Sequence, residues 1–246
     1  MRKSIFIGFS IISLALAGCS GSGGEGETPK GEVVKAVAAP VGKAWVDTVS
    51  KTTDNGYLIG NPDAPIKLVE YASVTCGHCK AFEEEGFPEL LEKYVGTGKV
   101  SFEIRNFLLN PYDVPISILT RCAGPEAYLA LTQQFFQNQG PFLEAAQKVD
   151  PAKMQAAMQL PENQRFVALG QELGVIDFFK SRGIAEEQAK MCLAKPENAS
   201  ELVAITDKAT NEFKVSGTPS FLLNGVKFDL EVGKSGWSQV ERRLQE

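Results

Sequence analysis

The sequence predicts an α/β fold, a single sheet whose two halves are separated by an inserted helical domain. The first sign is local. Ile66-Lys67-Leu68-Val69-Glu70-Tyr71 has strand character, a helical pattern follows, and Val100 to Phe107 alternates again. That succession makes a strand–helix–strand unit of the parallel type. The second sign is the stretch from Pro111 to about Phe213, where the apolar residues recur at helical spacing. The third is a hairpin beyond it: Ser220-Phe-Leu-Leu, an Asn224-Gly225 turn, then Val226-Lys-Phe.

Composition agrees with a folded chain. The 246 residues are 43% hydrophobic and 22% charged, which excludes a largely disordered or fibrous protein. A net charge of -5 argues against a general nucleic-acid binder. The single histidine excludes zinc sites built from two or three imidazoles. Chemistry must come from cysteine, carboxylate or backbone.

The N-terminus reads as an export signal. Arg2 and Lys3 precede a nearly uninterrupted apolar run from Ile5 to Leu16, followed by Ala17, Gly18 and Cys19. The run is shorter than the roughly 20 residues of a comfortable membrane span. Leu16-Ala17-Gly18-Cys19 resembles the bacterial lipobox, which implies cleavage before Cys19 and lipid attachment to its sulfur. Ordinary cleavage nearby would leave Cys19 free. Ser20-Gly-Ser-Gly-Gly-Glu-Gly-Glu-Thr-Pro then has the composition of a flexible tether.

Along the body, Trp45, Val46 and Val49, then Tyr57, Leu58 and Ile59, suggest short edge strands around an Asp54-Asn55-Gly56 turn. The helix after Ser73 carries Phe82, Phe87, Leu90, Leu91 and Tyr94; Gly86 and Pro88 should kink it. Gly96-Thr97-Gly98 ends it. Within the helical block, breaks fall near Gly124-Pro125, Gly140-Pro141, Gly174 and Gly183. Asp150-Pro151 matches an N-cap followed by proline at the first helical position. The last long helix carries Leu202, Ile205, Ala209 and Phe213, and a short one closes the chain from about Gly236 to Leu244. The expected organisation is a signal at 1–18, an anchor cysteine and tether at 19–43, a sheet-bearing domain at 44–110 and 200–246, and the inserted helical domain at 111–199.

The chemistry is expected at Cys76-Gly77-His78-Cys79, which follows a strand and opens a helix. The unsatisfied N–H groups and the dipole of a helix N-terminus favour an anion. Such a site lowers a cysteine pKa from about 8.5 to roughly 3.5–7.5. A stabilised thiolate means a stabilised reduced form, and so an oxidising disulfide. Cys76 is the expected exposed sulfur that forms the mixed disulfide, Cys79 the buried resolving partner, and His78 a source of positive charge or a hydrogen bond. Half a zinc site lacks its other half here, and a structural disulfide across two residues stabilises little.

Taken together, Val69-Glu70-Tyr71-Ala72-Ser73, Cys76-Gly77-His78-Cys79-Lys80-Ala81-Phe82-Glu83-Glu84 and Val215-Ser216-Gly217-Thr218-Pro219-Ser220-Phe221 resemble the thioredoxin-fold DsbA family of periplasmic disulfide oxidoreductases. The resemblance implies a thioredoxin fold with an inserted helical domain. It implies that Pro219 is cis and lies against the sulfurs, and that Gly77, Thr218 and Pro219 contact substrate, with Thr218 offering backbone groups. From the residues alone Pro219 could be a trans turn proline. Glu70 would be a semi-buried acid moving protons to or from Cys79, its pKa raised by desolvation; the plainer alternative is an exposed strand glutamate. Glu83, Glu84 and Glu85 read as a solvated acidic face. Gly77 stands where the best-known DsbA pattern has Pro, and Thr218 where it has Val, which puts the choice between oxidase and isomerase in doubt; His78 remains, and the tether after Cys19 is too short for the dimerisation domain that bacterial isomerases add, so the resemblance implies a monomeric oxidase that introduces disulfides into exported proteins.

Cys122 and Cys192 remain. An exported protein tends to pair its cysteines, one branch of DsbA-like proteins carries a second disulfide, and two buried free thiols are the alternative. The resemblance implies no cofactor and no resident metal. It implies unfolded exported proteins with free thiols as substrates, a quinone-linked, DsbB-like membrane partner as reoxidant, a monomer, and an extracytoplasmic or periplasmic place at a membrane through Cys19. The rival readings are an isomerase or reductase on the same fold, a Cu(I)-handling protein using the thiolates, and a redox-inert peptide-binding protein.

Overall fold

The computed structural model describes residues 35–246; the expected signal, Cys19 and most of the tether lie outside the described residues. The strands are β1 (Val49–Lys51), β2 (Tyr57–Gly60), β3 (Ile66–Ala72), β4 (Val100–Asn106), β5 (Ser220–Leu223) and β6 (Val226–Phe228). They form one sheet in the order β1-β2-β4-β3-β5-β6. Only β3 and β4 are parallel, joined by α1 (Gly77–Glu89); the other neighbours are antiparallel. Between β4 and β5 run α2 (Asp113–Arg121), α3 (Pro125–Gln137), α4 (Gln139–Ala146), α5 (Pro151–Gln159), α6 (Glu162–Glu172), α7 (Val175–Lys180), α8 (Glu186–Ala194) and α9 (Pro196–Phe213). The chain ends in α10 (Gly236–Gln245). This is a thioredoxin fold carrying a helical insertion.

Cross-strand register fixes what each face of the sheet carries. Tyr57 opposes Ile104, Ile104 opposes Glu70, and Glu70 opposes Phe221, so all four side chains share one face. α1 covers that face: Phe82 lies 4.7 Å from the Phe221 ring and 6.4 Å from Phe102. Val69, Tyr71 and Leu222 point to the other face, where Phe213 of α9 meets Tyr71 at 6.1 Å.

Three local expectations are corrected. β2 is interior, hydrogen-bonded to β1 and β4, so only β1 of that pair is an edge. Trp45 and Val46 lie in a 3-10 turn, Trp45–Asp47, because the indole N–H of Trp45 donates to Val37 O at 2.7 Å and draws the ring inward. β4 is buried at every position instead of alternating, because helices cover both faces. Its second face is still polar. Arg105 donates from Nε to Glu103 at 2.9 Å and from Nη1 to the Tyr71 hydroxyl at 3.1 Å, and pairs with Asp54 at 2.8 Å. Buried charge is tolerated because it is paired.

Pro88 acts as expected. α1 stops as a regular helix at Glu89, and the chain continues as a wide π-turn over Leu90–Tyr94 before Gly98, at φ 71°, releases it into β4. Gly86 is required by packing: a Cβ there would stand 2.7 Å from the Trp237 ring of α10. Asp150 caps α5 by accepting from the Ala152 N–H at 2.8 Å. The far end of the expected tether is held, since Val37 N–H donates to Thr97 O at 2.9 Å. A disulfide joins Cys122, at the end of α2, to Cys192 of α8, with Cα atoms 6.0 Å apart.

Candidate active site

β3 delivers the chain to Ser73 at its carboxyl end, and the loop to Cys76 turns it into α1. Cys76 is the N-cap, in an extended conformation (φ -81°, ψ 121°), which leaves the amides of the first turn open toward its side chain. Across from it, the Thr218-Pro219 bond is cis. That loop brings Thr218 O within 3.3 Å of Cys76 Sγ, which donates to it as a thiol. The same loop accounts for a departure from expectation: Cys76 is only 8% exposed, against 1% for Cys79. Both sulfurs are free thiols.

The two thiols are driven apart in acidity. Hydrogen bonding from Cys79 favours the Cys76 anion most; against some desolvation, the Thr218 side chain and the backbone amides of Cys79 and His78 add to it, and the pKa falls to about 5. Cys79 is pushed up, first by burial, then by its bond to Cys76 and by the nearby Glu70. At neutral pH the site holds one thiolate and one thiol.

Glu70 lies in the central strand β3 and is 4% exposed, so it is not an edge glutamate. Burial raises its pKa well above the carboxylate range, with the charges of Cys76 and Glu83 adding to the effect. Glu83 is half-buried and also raised by burial, whereas Glu84 and Glu85 are exposed; the acidic face is therefore solvated only in part. His78 is exposed beside a groove of about 520 Å³ whose walls include Phe82, Thr218, Pro219 and Leu230. Gly77 is exposed too, and a Cβ there would meet nothing within 4 Å, so space does not demand glycine. Cys122 and Cys192 are not at this site, and Cys19 lies outside the described residues.

Several residues around the site carry no pattern in the sequence. Asp113, fully buried at the start of α2, accepts from Ser73 Oγ at 2.7 Å, Thr75 N–H at 3.1 Å, Thr75 Oγ1 at 3.0 Å and Leu109 N–H at 2.8 Å. Gln139, at the start of α4, reaches the same loop from the other side. Only the local bond of Asn110 Oδ1 with the Tyr112 N–H, 2.9 Å, has a readable signal, an Asn-Pro-Tyr turn. Among the described residues no group of three or more metal-ligating side chains converges.

Fold and paired-cysteine site together define a thioredoxin-fold thiol–disulfide oxidoreductase. A family model described as Thioredoxin matches residues 52–241, and the chain belongs to that family. Rickettsia bellii has a relative, provisionally named a protein-disulfide oxidoreductase, that is 30% identical over 196 residues, 80% of this chain and 67% of that protein. A Rickettsia felis protein with the same provisional name is 30% identical over 82% of this chain and 64% of its own length. The chain thus spans about two thirds of these relatives. The crystal structure of a protein-disulfide isomerase from Novosphingobium aromaticivorans superposes with a TM-score of 0.70 at 33% identity, covering 77% of this chain and 97% of that one. Wolbachia pipientis alpha-DsbA1 shares the fold, with a TM-score of 0.55 at 23% identity over 78% of this chain and 89% of its own.

Proposed function

We propose that the protein is an extracytoplasmic oxidase that introduces disulfides into exported proteins through Cys76 and Cys79. The observation that carries this reading is the split in acidity. With Cys76 held as thiolate near neutral pH, the reduced site is stabilised and its disulfide is a good oxidant. In the reaction a substrate thiolate attacks Cys76 Sγ of the disulfide form. The Cys76–Cys79 bond breaks, and Cys79 leaves with the electron pair and takes a proton, for which Glu70 beneath it is the donor. A second substrate thiolate then attacks the substrate sulfur and releases Cys76 as thiolate. The substrate's two thiols lose two electrons and two protons; the site gains both electrons and one proton, carried on Cys79, and the other proton stays in solvent.

Thr218 presents backbone groups to an extended substrate segment, and the groove beside His78, Phe82 and Leu230 receives its apolar side chains. Gly77 leaves open space at the mouth of the site. The lipobox-like Leu16-Ala17-Gly18-Cys19 supports processing and lipid anchoring at Cys19, with the monomeric folded part outside the cytoplasm. A DsbB-like, quinone-linked membrane protein is the reoxidant by family analogy. Residues 44–110 with 200–246, and 111–199, serve as the sheet-bearing and helical domains of this reading.

One observation favours a second reading. The Novosphingobium structure at 33% identity is described as a protein-disulfide isomerase, and Gly-His with Thr before cis-proline departs from the best-known oxidase pattern. Two assays separate the readings: oxidation of a reduced, unfolded ribonuclease by the disulfide form, and repair of scrambled ribonuclease by the dithiol form. Fast oxidation with little repair upholds the oxidase. A reduction potential near that of thioredoxin, with repair dominant, overturns it.

A further inference from the structure

The loop that carries Cys76 is gripped from the helical insertion by two side chains, Asp113 at Ser73 and Thr75 and Gln139 at Val74 and Cys76 itself. Gln139 is 3% exposed, and its Nε2 donates to Val74 O at 2.8 Å and to Cys76 O at 3.0 Å. Both amide protons are therefore committed to the loop. Val74 is 2% exposed, so without Gln139 its carbonyl would lose its bonded partner in a nearly dry site. The carbonyl of Cys76 also accepts the Lys80 N–H at 3.1 Å, the first helical bond of α1. Gln139 thus holds the same oxygen that starts the helix.

We propose that Gln139 is a positioning residue for the dithiol: its amide is the contact through which the helical insertion holds the first turn of α1 aimed at the Cys76 sulfur. The proposal deepens the thiol–disulfide reading and rests on it. The amides of His78 and Cys79 stabilise the sulfur only while Cys76 keeps its N-cap geometry. Asp113 fixes the loop at Thr75 but makes no bond to Cys76; Gln139 does. The titratable groups around the sulfur are Cys79 and His78 on α1 and Glu70 on β3, with Glu83 beyond Glu70. Gln139 is uncharged, so it acts on the sulfur only through the loop.

The test is the thiolate absorbance of the reduced protein against pH, with the exchange equilibrium against glutathione. Gln139→Leu removes both donors at similar size. Its Cys76 midpoint is expected to rise by about half to one pH unit, and its disulfide to become about three- to tenfold less oxidising. Gln139→Glu keeps the length and sets an acceptor against two carbonyls, so its midpoint should rise further. Phe142→Leu, a buried change on the same helix with no bond to the loop, should lower the melting temperature and leave the midpoint alone. If Gln139→Leu behaves like Phe142→Leu, with lower stability and an unmoved midpoint and equilibrium, the proposal is overturned. If Gln139→Leu does not fold, Gln139→Met and Gln139→Glu are read in the same way, and midpoints equal to the wild type overturn it. A wild-type protein with no thiolate titrating near pH 5 and no exchange with glutathione overturns the oxidoreductase reading as well, which separates the two failures.

Discussion

Cys76 Sγ and the carbonyl oxygen of Thr218 lie 3.3 Å apart across 142 residues of sequence. The sulfur comes from the end of a central strand and the carbonyl from the loop before β5, so the site closes only when both halves of the sheet have met. Its properties then depend on how firmly those two segments are held, and that gives measurable consequences.

Removing the first sulfur should end the chemistry. Cys76→Ser is expected to abolish oxidation of a reduced peptide. Cys79→Ser keeps the attacked sulfur and loses the resolving one. It should accumulate mixed disulfides with substrate, visible on a non-reducing gel and cleared by dithiothreitol. No oxidation by the wild type, with peptide binding unchanged in Cys76→Ser, would leave a redox-inert peptide-binding protein as the function.

The redox state should alter stability in a pH-dependent way. The Cys76 pKa is lowered to about 5 in the folded dithiol form, against about 8.5 for an unfolded chain. A depressed folded pKa contributes stability that is complete above the unfolded value and is lost as pH falls through the folded one. Thermal melts of the reduced protein should therefore gain on those of the oxidised protein between pH 5 and about 8.5, by a few kcal/mol at most. A constant difference across that range would contradict the lowered pKa.

Glu70 has the opposite sign. Burial raises its folded pKa, so the folded state holds the proton more tightly than the unfolded chain does. Its stability contribution is complete below the ordinary carboxyl pKa and is lost as pH rises through the folded value. Glu70→Gln should match the wild type near pH 4 and melt higher than it at pH 8. The same variant should slow substrate attack on the Cys76–Cys79 disulfide by on the order of tenfold or more, as expected when the leaving Cys79 sulfur loses its proton donor. Melting curves that run parallel at both pH values would remove the buried, protonated role.

The second disulfide should be structural. Cys122 and Cys192 are 70 residues apart in sequence, and loop-closure entropy alone sets the bond at about 4 kcal/mol. Cys122→Ala with Cys192→Ala is expected to lower the melting temperature by about 10 °C without moving the Cys76 midpoint. A shifted midpoint with unchanged melting would assign the bond a tuning role in place of a supporting one.

Much of this was legible in the sequence because the signals were local. The β3 pattern, the paired cysteines at a helix start, the Asn224-Gly225 hairpin and the Asp150-Pro151 cap each need only a few neighbours to be read. What stayed hidden depends on partners far along the chain. β4 alternates in chemistry, yet nothing in Val100 to Asn106 says that its polar face will be buried by pairing with Asp54 and Tyr71. Trp45 looks like a strand residue until Val37 O is known to claim its indole. Asp113 and Gln139 are ordinary polar residues of helices until the fold carries them to the loop that holds Cys76.

The clasp between Val37, Thr97 and Trp45 sits at one end of the sheet. Thr97 lies just before β4, whose first residue Val100 pairs with Ile66, the start of β3. The sulfurs lie past the other end of β3, about 20 Å away along its seven residues. Val37, near the start of the described residues, is therefore held at the end of the sheet opposite the sulfurs. The clasp and the cysteine pair occupy opposite ends of β3, so a change at Val37 or Trp45 reaches the sulfurs only through the length of the sheet.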